Sequence, residues 1–148
     1  MNESKENEPV YVQLRQLMFQ SKHRTYKIAE KYDLTMMQST ALTMLTDDNP
    51  KAMRALSDYF MCDASTITGL VDRLEARELI TRSNHPTDRR VKLLALTDEG
   101  SKLREIIMTE TQKVETERLN EILTKDEVTV LQATLAKLLS EPETSSTN

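Results

Sequence analysis

The chain has 148 residues, 38% of them apolar and only 4% aromatic, with no Trp and a net charge of −4. That length fits one domain whose core must be aliphatic. Two Gly, four Pro and one Cys argue against a many-turned β architecture and against a disulfide framework, and predict a mainly α (α+β) chain.

No apolar run approaches the ~20 residues of a membrane span, and the polar start Met1–Glu8 has none of the features of a signal peptide. A soluble, cytoplasmic protein without membrane contact is expected, and the lone Cys62 fits a reducing compartment. Residues 1–8 are expected to be disordered. From about Pro9 to Lys31, the residues Val12, Leu14, Leu17, Met18, Tyr26 and Ile28 suggest a long helix. Thr35-Met-Met-Gln38 matches a capping box. The helix it opens runs through Ala41, Leu42, Met44 and Leu45 and stops at Asp47-Asp-Asn-Pro50. Pro50 cannot continue a helix, so a loop or short strand belongs at 48–52. Met53 to Phe60 reads as a short helix with Met53, Leu56 and Phe60 turned inward.

After a tight connection at Met61-Cys62 comes Asp63-Ala-Ser-Thr-Ile-Thr-Gly-Leu-Val-Asp-Arg-Leu-Glu-Ala-Arg77. Ile67, Leu70, Val71 and Leu74 form one apolar stripe at helical spacing, and Asp63 is placed as its N-cap. The other face carries Ser65, Thr66, Thr68, Gly69, Asp72 and Arg73. Short side chains let a backbone approach closely, hydroxyls reach phosphates or base edges, and Arg can fork onto guanine. Such a face suits a helix pushed into a DNA groove, but an ordinary surface helix would read the same way. Two short helices joined by a tight turn give the helix-turn-helix pattern.

Behind it, Leu79-Ile-Thr-Arg82 is β-compatible, Ser83 to Asp88 is a cluster of turn formers, and Val91 to Leu96 is a second strand. Strand, basic loop and strand behind a helix-turn-helix make a wing. Charge supports that placement: residues 51–94 carry +2, the remainder −6, and 82–92 alone +3. Thr97 caps the next helix, with Asp98 and Glu99 at its positive end, and that helix is expected to run to about Asn120. Thr124-Lys-Asp-Glu127 is a second capping box. Val128, Leu131, Leu135, Leu138 and Leu139 give the last helix a strong stripe, ended by Pro142 and a Ser/Thr tail expected to be disordered over 142–148. Helices at 9–34 and 97–141 must bury these stripes somewhere, and a second subunit is the economical place.

Ala64-Ser-Thr-Ile-Thr-Gly-Leu-Val-Asp-Arg-Leu-Glu75, Pro86-Thr-Asp-Arg-Arg90 and Leu96-Thr-Asp-Glu-Gly100 together resemble the MarR family (multiple antibiotic resistance regulator) of winged helix-turn-helix transcription factors. The resemblance covers roughly 35–100, and the flanking helices match in length and order only. It implies a single MarR-like domain over 1–148, with a winged helix-turn-helix at 35–96 and dimerisation helices at 9–34 and 97–141. It further implies a homodimer on double-stranded DNA, the Asp63 helix in the major groove and a wing arginine in the minor groove, where narrow walls concentrate negative potential. On this carry-over Arg90 is the wing-tip contact and Asp88 orients an arginine. Arg89 either serves phosphates or is the residue that Asp88 holds. Arg77 and His85 complete the expected DNA-binding set. The chain departs from the family's pattern at Ala52, which leaves the first motif helix weakly capped, at Glu78-Leu79, where a Gly is usual, and at Cys62, where a small apolar residue such as Val is usual.

The remaining residues carry little chemistry. Cys62 precedes a helix N-terminus, which favours a thiolate, but Asp63 beside it opposes one, and a packed structural Cys is the better reading. A thiol-based redox-sensing regulator through Cys62 is kept as an alternative, although peroxide sensors in the family carry their cysteine in the first helix. His23, His85 and Cys62 make no metal-ligand spacing. No Gly-rich phosphate loop or nucleophile–base pair is visible, so neither an enzyme nor a cofactor is expected. Met36, Met37, Met44, Met53 and Met61 read as adaptable core, or as lining of an effector crevice. Tyr11, Arg15 and Tyr26 are conceivable residues for a small-molecule effector, whose identity the sequence leaves open. The expected function is a sequence-specific transcriptional regulator, more often a repressor, that binds a pseudo-palindromic operator and is released by an effector. The alternative from another class is a helical dimer whose winged module docks proteins, which would not need the basic 82–92 segment.

Overall fold

The computed structural model describes residues 8–46 and 50–140. In chain order the described residues form α1 (Val10–Glu30), α2 (Met36–Met44), β1 (Lys51–Ala52), α3 (Met53–Phe60), α4 (Ala64–Ala76), β2 (Ile80–Asn84), β3 (Lys92–Leu96), α5 (Asp98–Ile122) and α6 (Lys125–Ser140). Two compact units divide the chain inside α5, at Thr111/Gln112.

In the first unit the helix starts follow the side chains. Thr35 accepts from the Gln38 amide at 3.2 Å while Gln38 returns its carbonyl to the Thr35 amide at 2.9 Å, a complete capping box. A cap of this kind contributes ~1 kcal/mol by satisfying amides that the first turn leaves free. Thr97 accepts from the Gly100 amide at 3.0 Å, starting α5 as expected. Ala52 offers no side-chain cap to α3. Pairing with β3 holds that start instead, with Lys51 opposite Leu94 and Ala52 opposite Leu93.

The helix ends share one device that the sequence did not announce. Asp33, Met61 and Glu78 each sit just past a helix with φ of 55°, 49° and 56°, and neither glycine has positive φ. Beyond each, an amide reaches back five residues: Leu34 to Ala29 at 3.2 Å, Cys62 to Ser57 at 3.2 Å and Leu79 to Leu74 at 3.0 Å. This is the Schellman termination, ordinarily built on glycine, here built on side-chain-bearing residues at a steric cost. The residue that follows turns its apolar side chain into the protein: Leu34 and Leu79 are buried, and Cys62 packs on the core. Cys62 thus occupies an apolar anchoring position, its Sγ donating to the Phe60 carbonyl at 3.3 Å.

The sheet has the order β1-β3-β2, all antiparallel. β2 extends to Asn84, paired with Lys92, so the turn-forming Ser83 and Asn84 are strand residues after all. Ladder hydrogen bonds to β3 outweigh their local turn preference. The core beneath the sheet gathers Ile67, Val71 and Leu74 of α4 with Leu42, Leu45, Leu56, Ile80, Leu94 and Ile107, each at most 1% exposed. Of the methionines expected inside, Met37, Met44 and Met53 pack on this core, whereas Met36 is partly exposed and Met61 is 93% exposed. Met61 lies on a left-handed turn that points its side chain away from the protein.

In the second unit, α5 runs on to Ile122, and α6 opens with the expected capping box, Glu127 accepting from the Thr124 amide at 2.8 Å. No residue of α6 is buried, and Val130, Leu138 and Leu139 stand exposed. The expected disorder of 1–8 and 142–148 and the stop at Asp47-Asp48-Asn49 lie outside the described residues, apart from Glu8, whose carboxylate accepts from Gln16.

Candidate nucleic-acid interface

The α4 helix is anchored by four apolar side chains, of which Leu70 is 7% exposed and Ile67, Val71 and Leu74 fully buried. Anchoring one stripe fixes what the opposite face presents, because helical periodicity leaves no freedom of rotation. That face is exposed at Ser65, Thr66, Thr68 and Arg73, with Gly69 half-buried among them. A Cβ built on Gly69 meets nothing within 4 Å, so the position is open to whatever approaches.

The hydroxyls are not idle. Asp63 accepts from the Thr66 amide at 2.9 Å, from Thr66 Oγ1 at 3.1 Å and from Ser65 Oγ. The Ser65 hydroxyl, followed by the Thr66 amide, holds the Asp63 carboxyl down at about 2. Thr68 Oγ1 donates to the Ala64 carbonyl at 2.8 Å. Each hydroxyl has thereby spent its one proton within the helix, and its free lone pairs can accept from a base amino group.

On the wing, Arg90 forks onto Asp88, with Nε at 3.1 Å from one oxygen and Nη2 at 3.2 Å from the other, and its own amide donates to Asp88 at 3.0 Å. Asp88 therefore holds Arg90, which decides the choice that the sequence left open; Arg89 stands exposed beside them. Arg90's side chain, and then its amide, keep the Asp88 carboxyl below its ordinary value. The Arg90 side chain is nonetheless 91% exposed, so it is oriented without being sequestered. His85 Nδ1 accepts from the Thr87 amide at 3.3 Å and lies 3.1 Å from Thr87 Oγ1, which makes it an organiser of the wing turn. Lys92 donates to Asn84 across the base of the wing at 2.6 Å.

A hollow of about 500 Å³ joins the two parts, lined by Ala64 and Thr68 of α4, Met53 and Arg54 of α3, and Arg90 and Lys92 of the wing. The small helix face and the oriented arginine thus front the same surface.

Two basic residues do something other than the sequence suggested. Arg82 is not free wing charge: its guanidinium lies against Asp72, and its Nε donates to Glu75 at 2.8 Å, so it ties β2 to α4. The +3 assigned to residues 82–92 overstated the charge open to a partner. Arg77, expected on DNA, sends Nη1 to the Asp33 carbonyl at 2.7 Å and Nη2 to the Tyr32 carbonyl at 2.9 Å. Two of its five donors thereby reach carbonyls of the turn that closes α1. Nothing in the sequence between 32 and 77 signals that meeting, since chain topology alone brings the two segments together.

Of the effector candidates, Tyr26 lines a hollow of about 390 Å³ with Lys22, Met36, Met37, Tyr59 and Phe60. Tyr11 and Arg15 are exposed residues near the start of α1 and do not line it. Among the described residues no cluster of three His, Cys, Asp or Glu could hold a metal ion, and no helix is long and apolar enough to cross a membrane.

A sequence model of the MarR family matches residues 34–92, the span from the end of α1 to the wing. Over that span the chain is similar to the MarR family. MgrA, a helix-turn-helix transcriptional regulator of Staphylococcus aureus, is 29% identical over 119 residues, covering 80% of this chain and 79% of that protein. Among solved structures, the transcriptional regulator Tm0710 of Thermotoga maritima has a TM-score of 0.72 at 26% identity, covering 90% of this chain and 99% of its own. A mutant of MepR from S. aureus, bound to an oligodeoxyribonucleotide, has a TM-score of 0.62 at 24% identity, covering 90% and 98%. These likenesses span the flanking helices as well as the winged module, which the motifs alone could not reach.

Proposed function

We propose that this MarR-like chain is a homodimeric repressor that binds a pseudo-palindromic operator through α4 and the wing and is released by a small molecule. The observation that carries the reading is the shared surface of Thr68 and Arg90, an open helix face beside an arginine aimed by Asp88. The α4 face, with Ser65, Thr66, Thr68, Gly69 and Arg73, enters the major groove. Arg90 reaches the adjacent minor groove, and Arg89 serves phosphates. The relative MepR, seen with an oligodeoxyribonucleotide, supports DNA as the partner. Dimerisation is supported separately by the exposed apolar residues Val10, Tyr11, Met18 and Phe19 of α1 and by Val130, Leu138 and Leu139 of α6. Apolar side chains left open along helices mark surfaces that a partner covers. A two-fold dimer sets its recognition helices about one helical turn of DNA apart. Cytoplasmic location follows from that partner.

The hollow beside Tyr26 and Lys22 is the proposed effector site, one cation among aromatic and methionine side chains, suited to a small aromatic anion. To move the dimer from 99:1 to 1:99 in favour of the non-binding state, the effector must prefer that state by about 10⁴-fold.

The test is a salt series of binding to the chain's own upstream DNA and to random duplex. A specific site with a log–log slope steeper than about −5 means several phosphate contacts. Arg90→Ala is expected to weaken operator binding at least tenfold while leaving the dimer and its melting unchanged. Equal operator affinity in wild type and Arg90→Ala would remove the wing from the interface. No binding at low salt from a folded dimer would favour docking of protein partners.

A further inference from the structure

We infer that Arg77 is a positioning residue, a clasp that sets α4 against the end of α1, and that Tyr32 and Glu110 extend the clasp to α5. Two hydrogen bonds from one guanidinium, at 2.7 and 2.9 Å, land on consecutive carbonyls, those of Asp33 and Tyr32. These carbonyls belong to the turn that closes α1, just past its last residue Glu30 and near the negative end of its dipole, where a cation both completes missing hydrogen bonds and meets favourable charge. The planar fork of Arg suits two adjacent acceptors, and a Lys ammonium on a flexible stem does not reproduce it.

The other side of the same joint is also tied. Tyr32 Oη donates to Glu110 Oε1 at 2.5 Å, and Lys31 Nζ lies 3.2 Å from Glu110 Oε2. Accepting that hydrogen bond, Glu110 holds the Tyr32 phenol above its usual value. Thr35, three residues beyond Tyr32, caps α2, whose first turn flanks α4 in a groove with Ser65, Thr66 and Arg73. Residues 31–35 therefore contact α4 through Arg77, α5 through Tyr32 and Lys31, and α2 through Thr35. A shift of α1 against α5 must either carry α4 with it or break the clasp. This inference rests on the proposed role of α4 in DNA binding. It assigns Arg77 to the aim of the helix, away from the phosphates.

The experiment compares the full-length wild type with Arg77→Lys and Tyr32→Phe, measuring operator and random-duplex affinity across a salt series, thermal melting, and amide hydrogen exchange without DNA. The clasp predicts that Arg77→Lys, with its charge intact, loses roughly tenfold or more on operator. It should keep its random-duplex affinity, its salt slope and its melting within a few degrees. Tyr32→Phe should show a smaller loss of the same kind. Exchange should quicken at the Leu34 and Leu79 amides in Arg77→Lys. Loss shared equally by operator and random duplex in Arg77→Lys, or a charge-removing Arg77→Gln that weakens both alike with a salt slope shallower by about 1, would make Arg77 a phosphate contact and overturn the clasp. So would operator affinity and exchange rates equal to wild type. Should wild type itself bind no DNA, the functional reading fails, and the exchange measurement still decides the clasp: faster exchange supports it, unchanged exchange refutes it.

Discussion

The chain's two glycines should respond oppositely to the same methyl group. A Cβ on Gly69 meets nothing within 4 Å, and the residue lies inside α4 with ordinary helical backbone. Gly→Ala in a helix interior with room for the methyl gains ~0.8–1 kcal/mol, because glycine loses more backbone entropy on folding. For a chain of this size that is a rise of about 2–4 °C in melting temperature. A Cβ on Gly100 would lie 1.8 Å from the Leu79 carbonyl oxygen and 2.8 Å from its carbon, both backbone atoms that no rotamer change can move. Relief requires α5 to back away from β2, straining the Thr97 amide bond to the Leu79 carbonyl at 3.1 Å and the Thr97 hydroxyl bond to the Glu78 carbonyl. Such a forced separation costs at least ~2 kcal/mol. Differential scanning calorimetry of both single variants at one protein concentration, read alongside operator titration, tests the pair. Gly69→Ala should melt higher yet bind operator more weakly, since its methyl stands on the face proposed to approach DNA. Gly100→Ala should melt well below wild type. A lower melting temperature for Gly69→Ala, or one for Gly100→Ala within a degree of wild type, would refute the reasoning from space and backbone.

Three further outcomes follow from a helix end, a helix cap and the bridge between β2 and α4. Glu78→Gly should stabilise the fold by ~0.5–1 kcal/mol, because a left-handed residue with φ of 56° is strained for Glu and free for Gly; unchanged chemical denaturation would contradict it. Asp63 is held at about 2 against an ordinary 3.8, so its contribution is present above about pH 4 and is lost as pH falls through the folded-state value. Asp63→Asn should therefore flatten the loss of helical circular dichroism between pH 4 and pH 2, and an acid limb as steep as wild type would sink that assignment. Arg82→Gln should loosen the wing by leaving Asp72 and Glu75 without their shared cation. Faster amide exchange along β2 is the expected result, and exchange equal to wild type would show that the bridge does not hold the strand.

The sequence carried most of the architecture because its signals were local. The Thr35 and Thr124 capping boxes, the Asp63 cap and the Ile67-to-Leu74 stripe each depend on residues within two turns of one another, and each appears where the spacing put it. The open face of α4 was legible for the same reason, as the complement of its buried stripe. What the sequence missed was of two kinds. Left-handed helix ends at Asp33 and Met61 gave no signal, because the residue expected there is glycine and the chain uses others; at Glu78 the departure from a usual Gly was the hint, and at all three an apolar residue follows.

The destinations of long charged side chains were the second kind. Local sequence made Arg77 and Arg82 part of a basic surface, but tertiary structure set one on carbonyls of the turn after α1, 44 and 45 residues away, and the other on the carboxylates of α4. A guanidinium goes to whichever acceptors lie within reach, and reach is decided only when distant helices pack. Periodicity and capping are written in neighbouring residues, so the sequence determined the elements and their order. The meeting of α1, α4 and α5 at residues 31–35 is written in no segment by itself, and it was the tertiary structure that decided it.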